Sequence, residues 1–188
     1  MSDKKTLILS ATEKLLARYG FHGISMQMVA KEAGVAAGTI YRYFDDKDDL
    51  MYQLHHHILS YVANKISQNV SDDMPLKCRF RTMWRNLWDM ATQEGAPLLT
   101  RGQFESLPRG DSPEQRQQEK HLFAKVDRVF DEGKALGLFK PLDNDILSAL
   151  SLEPSACLAR KHVNGIYTVT DDALEAAIDA CWDAILKH

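Results

Sequence analysis

The chain of 188 residues holds only three cysteines, Cys78, Cys157 and Cys181. An odd number at wide spacing fits neither a disulfide framework nor a CxxC zinc site, and free thiols suit a reducing compartment. No apolar run approaches the roughly 18 to 20 residues that cross a bilayer. Charges at Asp3, Lys4, Lys5, Glu13, Lys14 and Arg18 interrupt the start, where a secretory signal needs an unbroken apolar centre. These absences predict a cytoplasmic protein without a membrane partner. GxSxG, HExxH and phosphate-loop motifs are also missing. No catalytic residue, no cofactor and no enzymatic activity are therefore expected. Strand alternation is lacking as well: Gly165–Val169 is the one β-like run and is too short to matter.

What is present is an ordinary globular composition, 45% apolar, 26% charged and 9% aromatic, with a net charge of −3. The charge is unevenly placed. Residues 1–44 carry Lys4, Lys5, Lys14, Arg18, Lys31 and Arg42 against Asp3, Glu13 and Glu32. Asp45, Asp46, Asp48 and Asp49 follow, and the remainder is mildly acidic. The start of the chain is thus the part that tolerates a polyanion.

Helical periodicity runs almost throughout. Leu7, Ile8, Ala11, Leu15 and Leu16 form one stripe of a helix over 4–19, stopped by Gly20. Helices are predicted from Ser25 to Gly34, over 36–43, from Lys47 to about Asn69, and from Pro75 to Glu94. Others are predicted over 97–106, from Pro113 to Leu136, over 143–163 and over 171–187. That makes an all-α chain of about nine helices. Pro154 predicts a kink in the eighth. Asp45 and Asp46 offer caps for the helix beginning at Lys47, whose first-turn Asp48 and Asp49 suit the positive end of the dipole.

Residues 25–44 carry the specific signal. Two short helices meet at Ala33–Gly34–Val35, with Val29, Ala30, Val35, Ile40 and Phe44 as a small core. This is helix-turn-helix spacing. It aims the start of the second helix at base edges in a major groove. Ala36, Ala37 and Gly38 allow close approach there, and Thr39 offers a methyl and a hydroxyl. Tyr41 and Tyr43 can donate to phosphate oxygens, and Arg42 and Lys47 add positive charge. Ser25 and Gln27 lie at a helix start, where free amides attract phosphate.

Three further groups of residues have two readings each. His55, His56 and His57 are consecutive, so on a helix they point about 100° apart and cannot converge on one metal ion. No metal is expected, although one of them can line a ligand cavity. Phe80, Trp84 and Trp88 recur at i, i+4 and i+8, as core or as one wall of an aromatic ligand pocket with Phe104 and Phe123 opposite. Arg101 or His121 would orient a ligand there. Small residues Ala149, Ala156, Ala159, Ala176, Ala177 and Ala180 let the last two helices approach other helices closely.

Residues 7–54 resemble the tetracycline-repressor-like (TetR/AcrR) family of bacterial transcription regulators. The resemblance rests on Ile8, Ala11, Leu15, Gly20, Ser25, Val29–Ala30, Ala33–Gly34–Val35, Gly38–Phe44, Lys47 and Leu50. It implies a homodimer, formed through 143–163 and 171–187, that binds double-stranded operator DNA. It also implies an N-terminal helix-turn-helix domain over 1–47 and an effector and dimerisation domain over 48–188. A small effector, lipophilic or aromatic by the lining above, would release a palindromic operator. The sequence leaves open a repressor, an activator and a helix-turn-helix that no longer reads DNA.

Overall fold

A computed structural model describes residues 4–93, 99–110 and 112–187. The described residues form eleven α-helices: α1 (Lys4–Tyr19), α2 (Met26–Glu32), α3 (Ala37–Ile40), α4 (Lys47–Ile66), α5 (Leu76–Thr92), α6 (Arg101–Glu105), α7 (Pro113–Leu122), α8 (Ala124–Ala135), α9 (Asn144–Ser151), α10 (Glu153–Val163) and α11 (Asp171–Ile185). An isolated antiparallel bridge, Phe139 to Leu186, is the β pairing found among them.

The two helices beyond the expected nine come from breaks. Residues 143–163 divide at Leu152, as Pro154 predicts: it lies in the first turn of α10 and lacks the N–H that continuity needs. The expected helix over 113–136 divides at Phe123, where the backbone turns to φ −96° and ψ 15°. No proline or glycine marks that break. Burial changes across it: α7 buries nothing, while α8 buries Val126, Val129 and Phe130. Of the expected helix over 97–106, residues 97 and 98 lie outside the described residues, as does the Arg101 side chain.

Two compact units emerge. The first comprises Met1–Tyr61 and Pro97–Lys120, the second Val62–Ala96 and His121–His188. In the first, Ile8, Leu16, Val29, Ile40, Phe44, Leu50, Met51 and Leu54 are buried. These are inward positions of α1 to α4, as the period-3.6 stripe predicts, except that Leu7, expected on the α1 stripe, is 43% exposed and Leu9 is buried instead. The α4 start is fixed by Asp46, whose carboxylate accepts from the Asp49 N–H at 2.8 Å. The Asp49 carboxylate in turn accepts from the Asp45 N–H at 2.9 Å. Two members of the acidic cluster are therefore capping groups.

The second unit is built on aromatics. Phe80, Trp84, Phe130, Phe139 and Trp182 share one core. Trp182 meets Phe80 and Phe139 edge-on at 5.2 and 5.1 Å between centroids. Arg79, itself buried, donates to both carboxylate oxygens of Glu132 at 2.6 Å. Arg81 and Arg85 both reach Glu175 on α11. Asn86 donates to the carbonyls of Ile66 and Gln68, closing the end of α4 at 66 rather than 69.

Candidate DNA-reading surface and ligand cavities

The turn between α2 and α3 is closed as its sequence requires. Ser25 Oγ accepts from the Met28 N–H and caps α2. Gly34 takes φ +66°, the left-handed region that favours glycine, and the Val35 N–H returns to the Ala30 carbonyl at 3.0 Å. Regular α-helix in α3 stops at Ile40, short of the expected residue 43. Arg42 and Tyr43 N–H groups bond three residues back, to Thr39 and Ile40, as a tightened last turn.

Buried Ile40 and Phe44 hold α3 from below. What remains outward is small or polar. Ala36, Ala37 and Gly38 are exposed at its start, with Thr39 half-buried beside them. A Cβ placed on Gly38 would meet nothing within 4 Å, so its smallness serves no packing among the described residues. Tyr41 is 58% exposed, Arg42 is exposed and Tyr43 half-buried. Ser25 and Gln27 are exposed at the start of α2. The Ser25 hydroxyl, while capping α2 as an acceptor, keeps its own proton to donate.

Lys47 is placed differently from the expectation of a phosphate contact. Its ammonium donates to the carbonyls of Phe21 (2.8 Å) and Ile24 (2.9 Å). It also lies 4.7 Å from the Phe21 ring centroid. Two of its three donors are thus spent on the loop between α1 and α2, and Lys47 acts here as a tether that fixes where α2 begins.

The expected aromatic pocket divides between the units. Phe80 and Trp84 are fully buried in the second core, which leaves them no surface for a ligand in this arrangement. Trp88 and Phe123 are half-buried against that core. Trp88 stacks on Trp84 at 6.3 Å and meets His162 at 5.4 Å. Trp84 Nε1 is buried without a hydrogen-bond partner among the described residues. Phe104 belongs to the first unit, where its ring stacks on His55 at 4.8 Å.

The three histidines have two kinds of surroundings. His55 is buried, and its Nδ1 lies 3.4 Å from Glu119 Oε1 without hydrogen-bond alignment. Burial holds its pKa below the usual value, against the opposing pull of Glu119. Burial and the Glu119 charge together raise the Tyr52 phenol. His56 and His57 instead line an open cleft of about 350 Å³ within the first unit, with Lys5, Thr6 and Leu9 of α1. Tyr52, Gln53 and Ser60 of α4 and Gln118 of α7 complete it. Sequence reasoning allowed one of these histidines to line a cavity but did not place the cleft. The signal was present in half: Gln53, His56, His57 and Ser60, at i, i+3, i+4 and i+7, are a polar stripe on one face of α4. Among the described residues no group of three His, Cys, Asp or Glu side chains could hold a metal ion. None of the described helices is long and apolar enough to cross a membrane.

Two short helices joined by a glycine turn, the second exposing a small-residue start flanked by tyrosine and arginine, define a helix-turn-helix DNA-binding protein. Residues 8–54 match the bacterial regulatory proteins of the tetR family, and residues 75–186 match the tetracyclin repressor-like C-terminal domain. The chain belongs to the TetR family of transcriptional regulators, which are not enzymes. It is 33% identical to an HTH-type transcriptional regulator of Haemophilus influenzae, over 99% of this chain and 97% of that one. A TetR family protein from Vibrio parahaemolyticus shares the fold at TM-score 0.83 with 50% identity, covering 99% of this chain and all of that one (100%). A TetR-family regulator from Marinobacter aquaeolei superposes at TM-score 0.84 with 25% identity, covering 98% and 96%.

Proposed function

We propose that the chain is a cytoplasmic, homodimeric repressor that binds a palindromic operator through α2 and α3 and leaves it when a small lipophilic or aromatic effector binds. The observation that carries the reading is the outward face of α3: Ala36, Ala37 and Gly38 exposed, with open space over Gly38, beside Tyr41 and Arg42. A start without bulk lets backbone and Thr39 approach base edges, while the neighbouring tyrosine and arginine reach phosphates. The dimer reading is supported by apolar residues left outward on α9 and α11: Ile146 and Leu150 are each 46% exposed, and Ala173, Ala176 and Ala180 are exposed. The effector reading is supported by Trp88 and Phe123, which edge the aromatic core without being sealed in it. No cofactor enters the proposed mechanism.

The test is a salt-titrated gel shift on the DNA upstream of the chain's own gene. Specific binding should fall with log salt at a slope near −0.9 per phosphate contacted. Footprinting should reveal two half-sites one helical turn apart or a multiple of it. Binding that ignores salt, or the absence of any palindrome after genome-wide operator selection, refutes the reading.

A further inference from the structure

Residues 97–120 follow α5 in sequence but belong to the first unit, with α1 to α3 and most of α4. Two neighbouring side chains of α6 hold them there. Gln103 donates from Nε2 to the carbonyls of Leu16 and Ala17, at 3.2 and 3.3 Å, near the end of α1. Its Oε1 accepts from the Thr100 N–H at 3.0 Å and from the Thr100 hydroxyl at 3.1 Å. Phe104 lays its ring on His55 of α4, with centroids 4.8 Å apart and planes 17° from parallel. Glu119 of α7 stands against the same imidazole, with Oε1 3.4 Å from Nδ1. His55 is thus the point where α6 and α7 both meet α4.

The imidazole is 3% exposed, and a charge buried there is costly unless it is paired. Its Nδ1 has no hydrogen-bond partner among the described residues. The groups that face it do not offset the burial. From α7, Glu119 attracts a proton, but its Oε1 already accepts from the Gly110 N–H at 3.3 Å. From the link before α7, Arg109 opposes a second positive charge, and so does His56 on α4. Phe104 of α6 is neutral. Tyr52, one turn earlier on α4, is a phenol that burial and Glu119 keep protonated. Burial outweighs Glu119, and the docked ring is held neutral. Undocking α6 and α7 returns the ring to water, where an imidazole takes up a proton near about pH 6.5. A proton that binds the undocked arrangement more tightly must favour that arrangement as pH falls.

We propose that His55 is an acid-released latch: its protonation frees α6 and α7 from α4 and takes with them the hold of Gln103 on the end of α1. From that end the chain turns through Gly20 and Phe21 toward α2. Release therefore loosens the start of the DNA-reading pair. This last consequence rests on the operator reading above; the release itself does not.

The experiment is hydrogen exchange of the full chain without DNA, read by mass spectrometry at about pH 7.5 and 5.5. Labelling times are scaled to the intrinsic exchange rate at each pH. Protection of α6, α7 and the last turn of α1 should fall by up to about tenfold at the lower pH, while that of α5 and α11 stays. His55→Gln, uncharged at both values, should show no such fall. Glu119→Gln keeps the imidazole and removes its attracting charge, so it should keep or enlarge the fall. That variant decides the matter if circular dichroism shows His55→Gln unfolded. Operator affinity of the native chain should drop between the two values, and by more than that of His55→Gln. Protection indifferent to pH overturns the latch. So does a loss spread evenly over all helices, one that survives in His55→Gln, or one that vanishes in Glu119→Gln. A latch that opens with no His55-dependent change in affinity for a bound operator overturns its link to DNA.

Discussion

Lys47→Met separates a tether from a phosphate contact. The native ammonium makes two charge-assisted hydrogen bonds, to the Phe21 and Ile24 carbonyls, and sits on the Phe21 ring. Bonds to charged groups contribute about 1.5–3 kcal/mol each. Lys47 is half-buried, so water can replace part of them in the variant and the lower end applies. The ring contact adds about 0.5–1 kcal/mol, and the methionine stem keeps the packing of the lysine stem. At the lower ends, two bonds and the ring contact give an expected loss of about 3.5 kcal/mol. For a chain of this size each kcal/mol moves Tm by about 2–4 °C, so the midpoint should fall by about 7–14 °C. Operator affinity should weaken because the start of α2 is less firmly held, but the slope of log affinity against log salt should not change. A lost phosphate contact does the opposite: it lowers the slope by about 0.9 per reading head and spares Tm. Arg42→Ala, on the exposed face, should show that second pattern. An unchanged Tm together with a shallower salt slope in Lys47→Met would refute the tether.

Four further outcomes are expected. Gly133→Ala gains about 1 kcal/mol of helix propensity, but its Cβ would clash with the Cδ2–Cε2 edge of the fully buried Phe139 ring, packed against Phe130 and Trp182. Overpacking at about 2–3 kcal/mol wins, and the urea midpoint should drop; a raised midpoint shows that the ring yields. The lowered pKa of His55 means that the unfolded chain takes up a proton more readily than the native one. Stability from this group is therefore full above about pH 6.5 and is lost as pH falls toward the native value. The stability difference between the native chain and His55→Phe should shift in that direction between about pH 7.5 and 5.5, and a constant difference counts against the buried neutral imidazole. If the proposed dimer forms through α9, Leu150→Asp, at an outward position of that helix, should leave a monomer in sedimentation velocity with its circular dichroism unchanged. Tyr41→Phe removes one exposed hydroxyl and should weaken operator binding by about 5–10-fold, roughly one hydrogen bond, without moving Tm.

The helices were legible because burial follows a period that the sequence displays: Ile8, Leu15 and Leu16 in α1 and Leu50 and Leu54 in α4 are buried as spaced. The α2–α3 turn was legible because its glycine needs a backbone region that other residues avoid. Both kinds of signal are local. The break at Phe123 carries no local signal: it separates α7, which buries none of its residues, from α8, which buries Val126, Val129 and Phe130. The part played by Lys47 depends on two carbonyls more than twenty residues earlier, and a carbonyl has no letter in the sequence. The stripe Phe80, Trp84 and Trp88 showed which face is apolar but not whether a core or a ligand covers it, because both satisfy the same periodicity. The cleft draws its lining from α1, α4 and α7, and only the stripe on α4 is visible along the chain.

The open space over Gly38 and the exposure of Ala36 and Ala37 bear on how this regulator can change. Side chains exchanged at these positions face outward, with open space over Gly38, and replacing Gly38 even favours the helix. Sequence drift there is filtered by the target it must match rather than by folding. A lineage could acquire a new operator through three adjacent codons while the rest of the molecule stays as it is. For the same reason, a library randomised at residues 36–38 would report recognition with little interference from misfolded members.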